Sequence, residues 1–338
     1  MPAPLLEVEH LRVEFPGRRG RLVALDDVSF SIAPGEVLGV VGESGAGKSL
    51  TGASIIGLLD PPGRIAGGEI RFDGARIDNL PYEQMRKLRG RQIGAIFQDP
   101  LTSLDPLYTV GQQLVETVQT HLGLNTAEAR RRAVRLLQET GIPAAEERLD
   151  QYPHQFSGGM RQRAAIAMAL ALRPKLVIAD EPVTALDVIV QRQVLDTIRN
   201  LSLELGLSAI IVTHDISVVA YLCSMIAVMY AGRIVEYGPT ERVMAEPAHP
   251  YTMGLMNASP DLARAGEELT PIEGSPPSLL QPPPGCRFAP RCPFALAACR
   301  EAMPATSELA PDHSAACLRA GEAAQLREKA REAATWRQ

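Results

Sequence analysis

The sequence is poor in aromatic residues and has no strong excess of charge. Phe, Trp and Tyr make up 4% of its 338 residues, which weakens any interpretation in which nucleic-acid bases stack on the protein. The formal net charge of −5 argues against a dedicated polyanion-binding protein. We therefore expect no nucleic-acid partner.

Long apolar runs are also missing. No stretch approaches the roughly 18 consecutive apolar residues of a membrane span. Residues 1–4 (Met-Pro-Ala-Pro) lack the layout of a signal peptide. We expect the chain to stay in the cytosol, where its five cysteines are reduced or bound to a metal rather than paired.

One glycine-rich stretch carries a specific signal. Residues 42–49 read Gly-Glu-Ser-Gly-Ala-Gly-Lys-Ser and directly follow the apolar run 37–41. This is the pattern G-x-x-x-x-G-K-[ST] between a strand and a helix, in which backbone N–H groups surround a phosphate chain. Lys48 would reach the β- and γ-phosphates and Ser49 would bind Mg²⁺. A helix starting near Lys48 would point its positive end at the same anion.

Two further apolar strands are predicted to end in polar residues. Residues 176–179 are followed by Asp180 and Glu181, and residues 209–213 are followed by His214. In a parallel sheet such ends lie at one edge, beside the phosphate loop. Asp180 suits a Mg²⁺ ligand through water, and Glu181 suits a base that orients the attacking water. We interpret His214 as functional because it repeats this geometry.

Three shorter segments add candidate residues. A small apolar strand delivers Gln98 into a loop that contains proline. Ser157 is a candidate N-cap, and Gly158 and Gly159 leave backbone N–H groups open to an anion. Asp187 follows the two acids in a short loop.

The composition shifts after about residue 240. Eight prolines fall between residues 271 and 293 and exclude long regular structure there. Cys286, Cys292, Cys299 and Cys317 share a window of 32 residues, with the spacing C-x5-C-x6-C-x17-C. This spacing lacks the paired C-x2–4-C of structural zinc sites, whereas four thiolates also suit a [4Fe–4S] cluster. Zinc and four unconnected thiols remain alternatives.

The order of these segments resembles that of an ATP-binding-cassette nucleotide-binding domain, over residues 5 to about 240. The resemblance implies an α/β fold of the P-loop NTPase type. Such a fold has a RecA-like parallel-sheet core, an antiparallel β subdomain and a helical signature subdomain, here at about 105–172. It also implies binding of ATP and Mg²⁺. The implied contacts are Phe15, Gly42, Ser44, Gly45, Ala46, Gly47, Lys48, Ser49, Leu50, Gln98, Ser157, Gly158, Gly159, Asp180, Glu181, Asp187 and His214.

Within that set the resemblance implies distinct roles. Glu181 polarises water, His214 senses the γ-phosphate and Lys48 holds the phosphates, while Gln98 joins Ser49 and Asp180 around Mg²⁺. Two domains pair head to tail, and each ATP lies between one phosphate loop and the Ser157–Gly159 segment of the other domain. Two positions depart from the family. The signature ends in Met160 where Gln is commonest, and the adenine-stacking aromatic is at best Phe15.

Several further motifs resemble a narrower family, the ATPase subunits of bacterial dipeptide/oligopeptide importers. They are Phe97–Pro100, Thr102–Pro106, His249–Thr252, Gly274–Pro277, Gly285–Phe288 and Arg291–Pro293. With them the resemblance covers nearly the whole chain, as a nucleotide-binding domain (1–245) and a small irregular Pro/Cys-rich C-terminal domain (246–338). Some members hold an iron–sulfur cluster in these cysteines, which favours [4Fe–4S] over zinc.

The resemblance also implies partners and a location. The chain would pair with a second ATPase subunit, identical or homologous, and bind two membrane-spanning permease subunits at the cytoplasmic face of the membrane. An extracytoplasmic binding protein would supply the peptide. Import of nickel, an opine or an oligosaccharide by the same machinery, or a soluble ABC ATPase without a permease, are the alternatives.

Overall fold

The computed structural model describes residues 3–18, 20–99, 103–184, 186–262 and 269–337. Some stretches named in the sequence analysis therefore lie partly outside the described ranges. Residues 1–2 of the stretch 1–4 lie outside, as do residues 100–102 of the motifs Phe97–Pro100 and Thr102–Pro106. Residue 185, shortly before Asp187, also lies outside. Contacts between residues divide the chain into two compact units. The first comprises residues 1–33, 37–79 and 213–338, and the second comprises 34–36 and 80–212. The division at residue 245 stays a prediction.

Strands and helices are interspersed along the chain, which confirms the α/β class. The strands are β1 (Leu6–Gly17), β2 (Gly20–Ile32), β3 (Val37–Val41), β4 (Arg64–Phe72), β5 (Ala75–Arg76), β6 (Ile93–Ile96), β7 (Leu176–Asp180), β8 (Ser208–Thr213), β9 (Met225–Tyr230), β10 (Arg233–Pro239), β11 (Ser307–Ala310) and β12 (His313–Ala315). The helices are α1 (Lys48–Ile55), α2 (Tyr82–Leu88), α3 (Val110–Leu122), α4 (Thr126–Glu139), α5 (Ala145–Arg148), α6 (Gly158–Leu170), α7 (Val188–Leu205), α8 (Ile216–Leu222), α9 (Thr240–Ala245), α10 (Pro250–Asn257), α11 (Ala298–Glu301), α12 (Ala323–Ala330) and α13 (Ala333–Trp336).

The first unit contains two groups of strands. An antiparallel sheet has the order β2-β1-β4-β5, as the predicted antiparallel β subdomain requires. Leu6 of β1 stands between Ile32 and Phe72 in this sheet, and all three side chains are buried. In the second group, β3 pairs in parallel with β9, and β10, β12 and β11 follow in antiparallel order.

A buried carboxylate connects the second group to α10. Glu236 of β10 is 1% exposed and accepts hydrogen bonds from the backbone N–H groups of Ala248 (2.7 Å) and His249 (2.9 Å). Its other neighbour is Nε2 of His313, 2.9 Å away on β12. Burial lowers the pKa of His249 to about 3, so this ring is neutral and its Nδ1 accepts the N–H of Tyr251. These contacts fix the start of α10.

The second unit combines a parallel sheet with a group of helices. β6, β7 and β8 are parallel in that order, and the apolar residues of β7 are buried on both faces. The helices α3 to α6 pack around a core that includes Leu114, Val118, Ala133, Leu137, Phe156 and Ala164. Asn125 followed by Glu128 three residues later predicts a capping box, and the structure confirms it at the start of α4.

Two predicted helices differ from the structure. For the helix after the phosphate loop, the sequence predicts residues 49–59, ended by the Asp-Pro-Pro-Gly stretch 60–63. The observed helix α1 ends at Ile55, because the chain turns at Gly57, whose φ is 64°. The charged, alanine-rich pattern at the C-terminal end predicts one helix over about 318–336, whereas the structure has two shorter helices there, α12 and α13. The division has a local cause, since the indole N–H of Trp336 folds back and donates to the last carbonyl of α12, at Ala330 (2.8 Å).

Over the described ranges, none of the helices combines the length and the apolar character needed to cross a bilayer.

The helical core of the second unit gives a stability prediction. Leu137 is fully buried, whereas Leu122 on the neighbouring helix is 40% exposed. Leu137→Ala is expected to lower the free energy of unfolding by about 2–5 kcal/mol, because it removes buried methyl groups and leaves a cavity. Leu122→Ala is the matched control and is expected to change it by less than about 0.5 kcal/mol. Chemical denaturation of both variants measures the difference, and equal values would contradict the assigned core.

Candidate functional site

The phosphate loop, residues 42–47, connects β3 to α1 within the first unit. Gly47 is the N-cap of α1 and has a φ of 98°, which is the left-handed region that favours glycine. At Gly42 there is no room for a side chain, since a Cβ atom there would lie 2.1 Å from the carbonyl oxygen of Met229. The two glycines are therefore required by the curl of the loop itself.

Lys48 is buried against the loop that precedes it. The residue is 5% exposed, and its ammonium group donates to the carbonyl oxygens of Gly42 (2.7 Å) and Glu43 (3.0 Å). Ser49 and Leu50 follow in the first turn of α1. The loop therefore presents a fixed positive charge at the start of a helix, an arrangement that suits an anion.

Residues far along the chain hold this loop from outside. The phenol oxygen of Tyr251 accepts the backbone N–H of Glu43 (2.8 Å), and the guanidinium of Arg291 donates to the Glu43 carboxylate (2.8 Å). On the other side, the N–H of Gly232 donates to the carbonyl oxygen of Ala46 (2.9 Å). From the sequence, no role at the site was assigned to Tyr251, Arg291 or Gly232. Tyr251 and Arg291 stood out only as parts of family motifs.

The acidic end of β7 lies in the second unit. Glu181 directly follows Asp180, has a φ of 45° and donates its N–H to the Val212 carbonyl oxygen (2.8 Å). Its carboxylate Oε2 accepts hydrogen bonds from the Thr184 hydroxyl (2.7 Å) and from the Gln98 amide (3.3 Å). The structure therefore brings together Gln98 and Glu181, two residues singled out separately in the sequence. Thr184 was missed, because a threonine in a loop has no signal of its own.

The Ser-Gly-Gly segment and Asp187 begin two helices that pack together in the second unit. Ser157 is the predicted N-cap of α6 and accepts the N–H of Met160 (3.3 Å), and Asp187 caps α7 through the N–H of Val190 (3.0 Å). A Cβ on Gly159 would lie 2.3 Å from a methyl carbon of Val190. The glycine at this position therefore permits the close approach of α6 and α7.

His214 and Phe15 belong to the first unit. His214 directly follows β8 and is exposed, and the next residue, Asp215, caps α8 by accepting the N–H of Ser217 (2.8 Å). Phe15 is half-buried near the end of β1, and a Cβ on Gly63 would lie 2.6 Å from its ring. The roles of His214 and Phe15 stay predictions.

The four C-terminal cysteines converge on one pocket of the first unit. Cys286 and Cys299 are buried, Cys292 and Cys317 are half-buried, and all four line the pocket together with Phe288, Phe294 and other residues. Burial raises the pKa of the Cys292 thiol to about 12 and that of the Cys317 thiol to about 11. Without a bound cation these thiols are therefore protonated at neutral pH.

Backbone N–H groups nevertheless point at the sulfur atoms. Those of Leu296 and Arg319 donate to Cys299 and Cys317, each at 3.4 Å. Donors from the backbone also lower the pKa of Cys286 and Cys292 against the larger effect of burial. Among the residues that the structure describes, however, no group of three or more His, Cys, Asp or Glu side chains has the arrangement of a metal site. The predicted iron–sulfur cluster is thus not supported by a preformed ligand set.

Comparison with known sequences gives two family matches. A model of the family described as ABC transporter matches residues 25–184, and one described as the C-terminal region of oligopeptide/dipeptide transporters matches residues 235–299. The second match includes three of the four clustered cysteines.

Individual relatives cover almost the full length. The oligopeptide transport ATP-binding protein OppD of Salmonella typhimurium is 49% identical over 315 residues, 93% of this chain and 93% of its own. A probable peptide ABC transporter ATP-binding protein of Sinorhizobium fredii is 49% identical over 324 residues, 95% of this chain and 97% of its own. Among solved structures, a dimeric ATP-binding cassette bound to ADP and phosphate is 27% identical with a TM-score of 0.63. This match spans 70% of this chain and 98% of the cassette.

The backbone of Glu181 gives a prediction that separates strain from chemistry. Glu181→Ala and Glu181→Gly both remove the carboxylate, but only glycine adopts a φ of 45° without a steric penalty. We expect the glycine variant to be more stable than the alanine variant by about 1 kcal/mol. Thermal unfolding of the two proteins, compared side by side, measures this difference. A more stable alanine variant would show that the left-handed backbone is not retained.

Proposed function

This chain belongs to the family of ATP-binding subunits of ABC oligopeptide/dipeptide transporters, and from that premise we propose that it hydrolyses ATP to power peptide import. The single observation that carries the proposal is the presence of a complete phosphate loop and of the oligopeptide/dipeptide C-terminal region in one chain. The first supports ATP as the substrate, and the second supports peptide as the cargo.

We propose that the phosphate loop and the first turn of α1 bind the nucleotide. Lys48 would exchange its bonds to Gly42 and Glu43 for the β- and γ-phosphate oxygens, and the backbone N–H groups of the loop would surround the phosphate chain. Phe15 is the candidate for contact with adenine. The other proposed contacts are Gly42, Ser44, Gly45, Ala46, Gly47, Ser49, Leu50, Ser157, Gly158, Gly159, Asp187 and His214.

Three of the candidate residues carry oxygen donors of the kind that Mg²⁺ prefers. They are the hydroxyl of Ser49, the carboxylate of Asp180 and the amide oxygen of Gln98. We propose that these three residues bind the ion directly or through water. When bound, Mg²⁺ supplies positive charge that neutralises the phosphate oxygens.

Glu181 is the proposed general base. Two donors hold its carboxylate, Thr184 at 2.7 Å and Gln98 at 3.3 Å, and this restricts its rotation. Glu181 accepts a proton from the attacking water as the water oxygen bonds to the γ-phosphorus. The bond to the bridging oxygen breaks, which yields ADP and phosphate. His214 is the proposed sensor of the γ-phosphate.

Two kinds of protein partner are proposed. A second ATPase subunit would complete each site with its Ser157–Gly159 segment, a view supported by the dimeric state of the similar cassette. Permease subunits would bind the loop after Gln98, where Leu107 is 79% and Tyr108 is 53% exposed. Apolar side chains that are this exposed fit a protein-binding surface. The subunit would then sit peripherally on the cytoplasmic face of the membrane and receive peptides through an extracytoplasmic binding protein.

We also propose that Cys286, Cys292, Cys299 and Cys317 hold a [4Fe–4S] cluster, with zinc as the alternative. The support is their convergence on one pocket and the backbone N–H groups directed at their sulfur atoms. Such donors stabilise thiolates bound to iron, whereas burial alone disfavours free thiolates. When bound, a cluster would supply a cross-link between segments that the sequence separates.

Replacing the proposed base tests the ATPase assignment. Glu181→Gln is expected to keep ATP binding and to lower the rate of phosphate release at least about 100-fold, since the amide cannot accept the proton. The measurement uses the variant assembled with its permease subunits, together with peptide uptake in cells. Uptake is expected to be lost with the ATPase activity.

The matched control is Glu204→Gln, which removes an exposed carboxylate near the end of α7 and is expected to leave the rate unchanged. Near-normal phosphate release by Glu181→Gln would reject Glu181 as the base. Loss of ATPase activity without loss of uptake would instead reject the coupling to peptide import.

Metal analysis tests the cysteine pocket. Protein purified without oxygen is expected to contain about four iron and four acid-labile sulfide per chain. Cys292→Ser is expected to lower both contents sharply. Cys223→Ser is the control, because Cys223 is buried outside the pocket and its replacement leaves all four proposed ligands in place. Zinc alone, or no metal, would reject the cluster.

A further inference from the structure

Two arginines connect the cysteine-rich segment to the phosphate loop. Arg287 directly follows Cys286, and Arg291 directly precedes Cys292. Their side chains are only 5% and 6% exposed. A buried guanidinium is retained only where its donors are paired, so the partners of these two residues identify what each of them holds in place.

Arg291 is bound on several sides. Its guanidinium donates to the carboxylate of Glu43 (2.8 Å) and to the phenol oxygen of Tyr230 (3.2 Å). It also donates to the carbonyl oxygens of Ile272 (3.0 Å) and Glu273 (2.8 Å). A lysine has no planar fork and cannot reproduce this set. The arginine therefore sets the position of Glu43 relative to the C-terminal region.

The backbone of Glu43 is held as well as its side chain. Tyr251 accepts the Glu43 N–H (2.8 Å), and its own ring packs against those of Tyr230 and Phe288, with centroids 4.6 and 5.3 Å away. Phe288 in turn lines the cysteine pocket. A displacement of the pocket wall is thus transmitted to residue 43 through packed rings as well as through Arg291.

The backbone of Glu43 helps to position the side chain of Lys48. Its carbonyl oxygen and that of Gly42 are the acceptors of the Lys48 ammonium group. A shift of Glu43 therefore moves both the N–H groups of the loop and the charge that faces the phosphates. Displacements of about 1 Å at such a site are enough to weaken function strongly.

Arg287 reaches the opposite end of the same loop. It donates to the carbonyl oxygen of Ala231, and the next residue, Gly232, donates its N–H to the carbonyl oxygen of Ala46 (2.9 Å). The carboxylate of Asp26 also accepts from Arg287. The loop is therefore held near Glu43 through one arginine and at Ala46 through the other.

We propose that Arg291 is a positioning residue of the nucleotide site, which acts through Glu43 and makes nucleotide affinity depend on the conformation of the cysteine pocket. The proposal rests on the function proposed above, ATP binding by the phosphate loop. Coupling between two sites is reciprocal, so nucleotide in the loop also favours one arrangement of segment 286–292. A displacement of the pocket wall therefore lowers the affinity for nucleotide.

The test compares Arg291→Met, Glu43→Gln and the double variant in the full-length protein, with a fluorescent ATP analogue as the probe. Each single change is expected to weaken binding about tenfold, and the double variant is expected to lie within twofold of the weaker single variant. Arg291→Lys is expected to recover only part of the loss. Arg327→Met is the matched control, because Arg327 lies in the same C-terminal region and donates to the Pro247 carbonyl oxygen instead.

Steady-state ATPase kinetics of the assembled transporter separate positioning from a general loss of structure. Positioning raises KM for ATP and leaves kcat within about twofold, whereas a purely structural role lowers kcat and the melting temperature with KM unchanged. Affinity and KM within twofold of the wild-type values in Glu43→Gln would overturn the proposal, and this change is mild enough to preserve the fold. Wild-type protein that fails to bind the probe, or that binds it no more tightly than Lys48→Ala, would overturn the proposed function itself.

Discussion

A loop that binds phosphate with its backbone lacks the side chains to hold its own shape. Gly42 admits the Met229 carbonyl only because it has no Cβ, and Gly47 has a backbone conformation that other residues avoid. The loop must therefore take its shape from neighbours that do have side chains. In this protein those neighbours include Tyr251 and Arg291, more than 200 residues later in the chain. Both residues belong to the first unit, where Tyr251 bonds to the N–H of Glu43 and Arg291 bonds to its carboxylate.

Much of the fold could be predicted because its signals are local. The strand before the loop, the capping box at Asn125 and the N-cap at Ser157 depend on neighbouring residues, and all three occur as expected. The break between α12 and α13 was not predicted, because its cause is the indole of Trp336, which bonds six residues back. A periodic pattern does not contain that information.

The residues of the candidate site could likewise be predicted only where the sequence signal is local. Glu181 and Gln98 were found because each follows an apolar strand, and the ends of parallel strands share one edge of a sheet. Thr184, Tyr251 and Arg291 were not assigned there, because their roles arise only when distant segments meet. For the cysteines the sequence predicted proximity, and the structure brings them to one pocket. Sharing a pocket is not yet ligation, since no group of three or more His, Cys, Asp or Glu side chains in the described part of the chain has the arrangement of a metal site.

The contacts of Arg291 and Phe288 show how the C-terminal extension, residues 246–338, depends on the nucleotide-binding domain that precedes it. A terminal extension is often treated as a removable attachment, which can be deleted or transferred to another protein without loss to the host. Here the extension supplies side chains to the interior of its host, and the host supplies Tyr230 and Glu43 in return. Transplanting the extension onto another cassette would therefore require both recipient residues. Cutting it away would leave the carboxylate of Glu43 without its arginine and would expose the ring of Tyr230 to water.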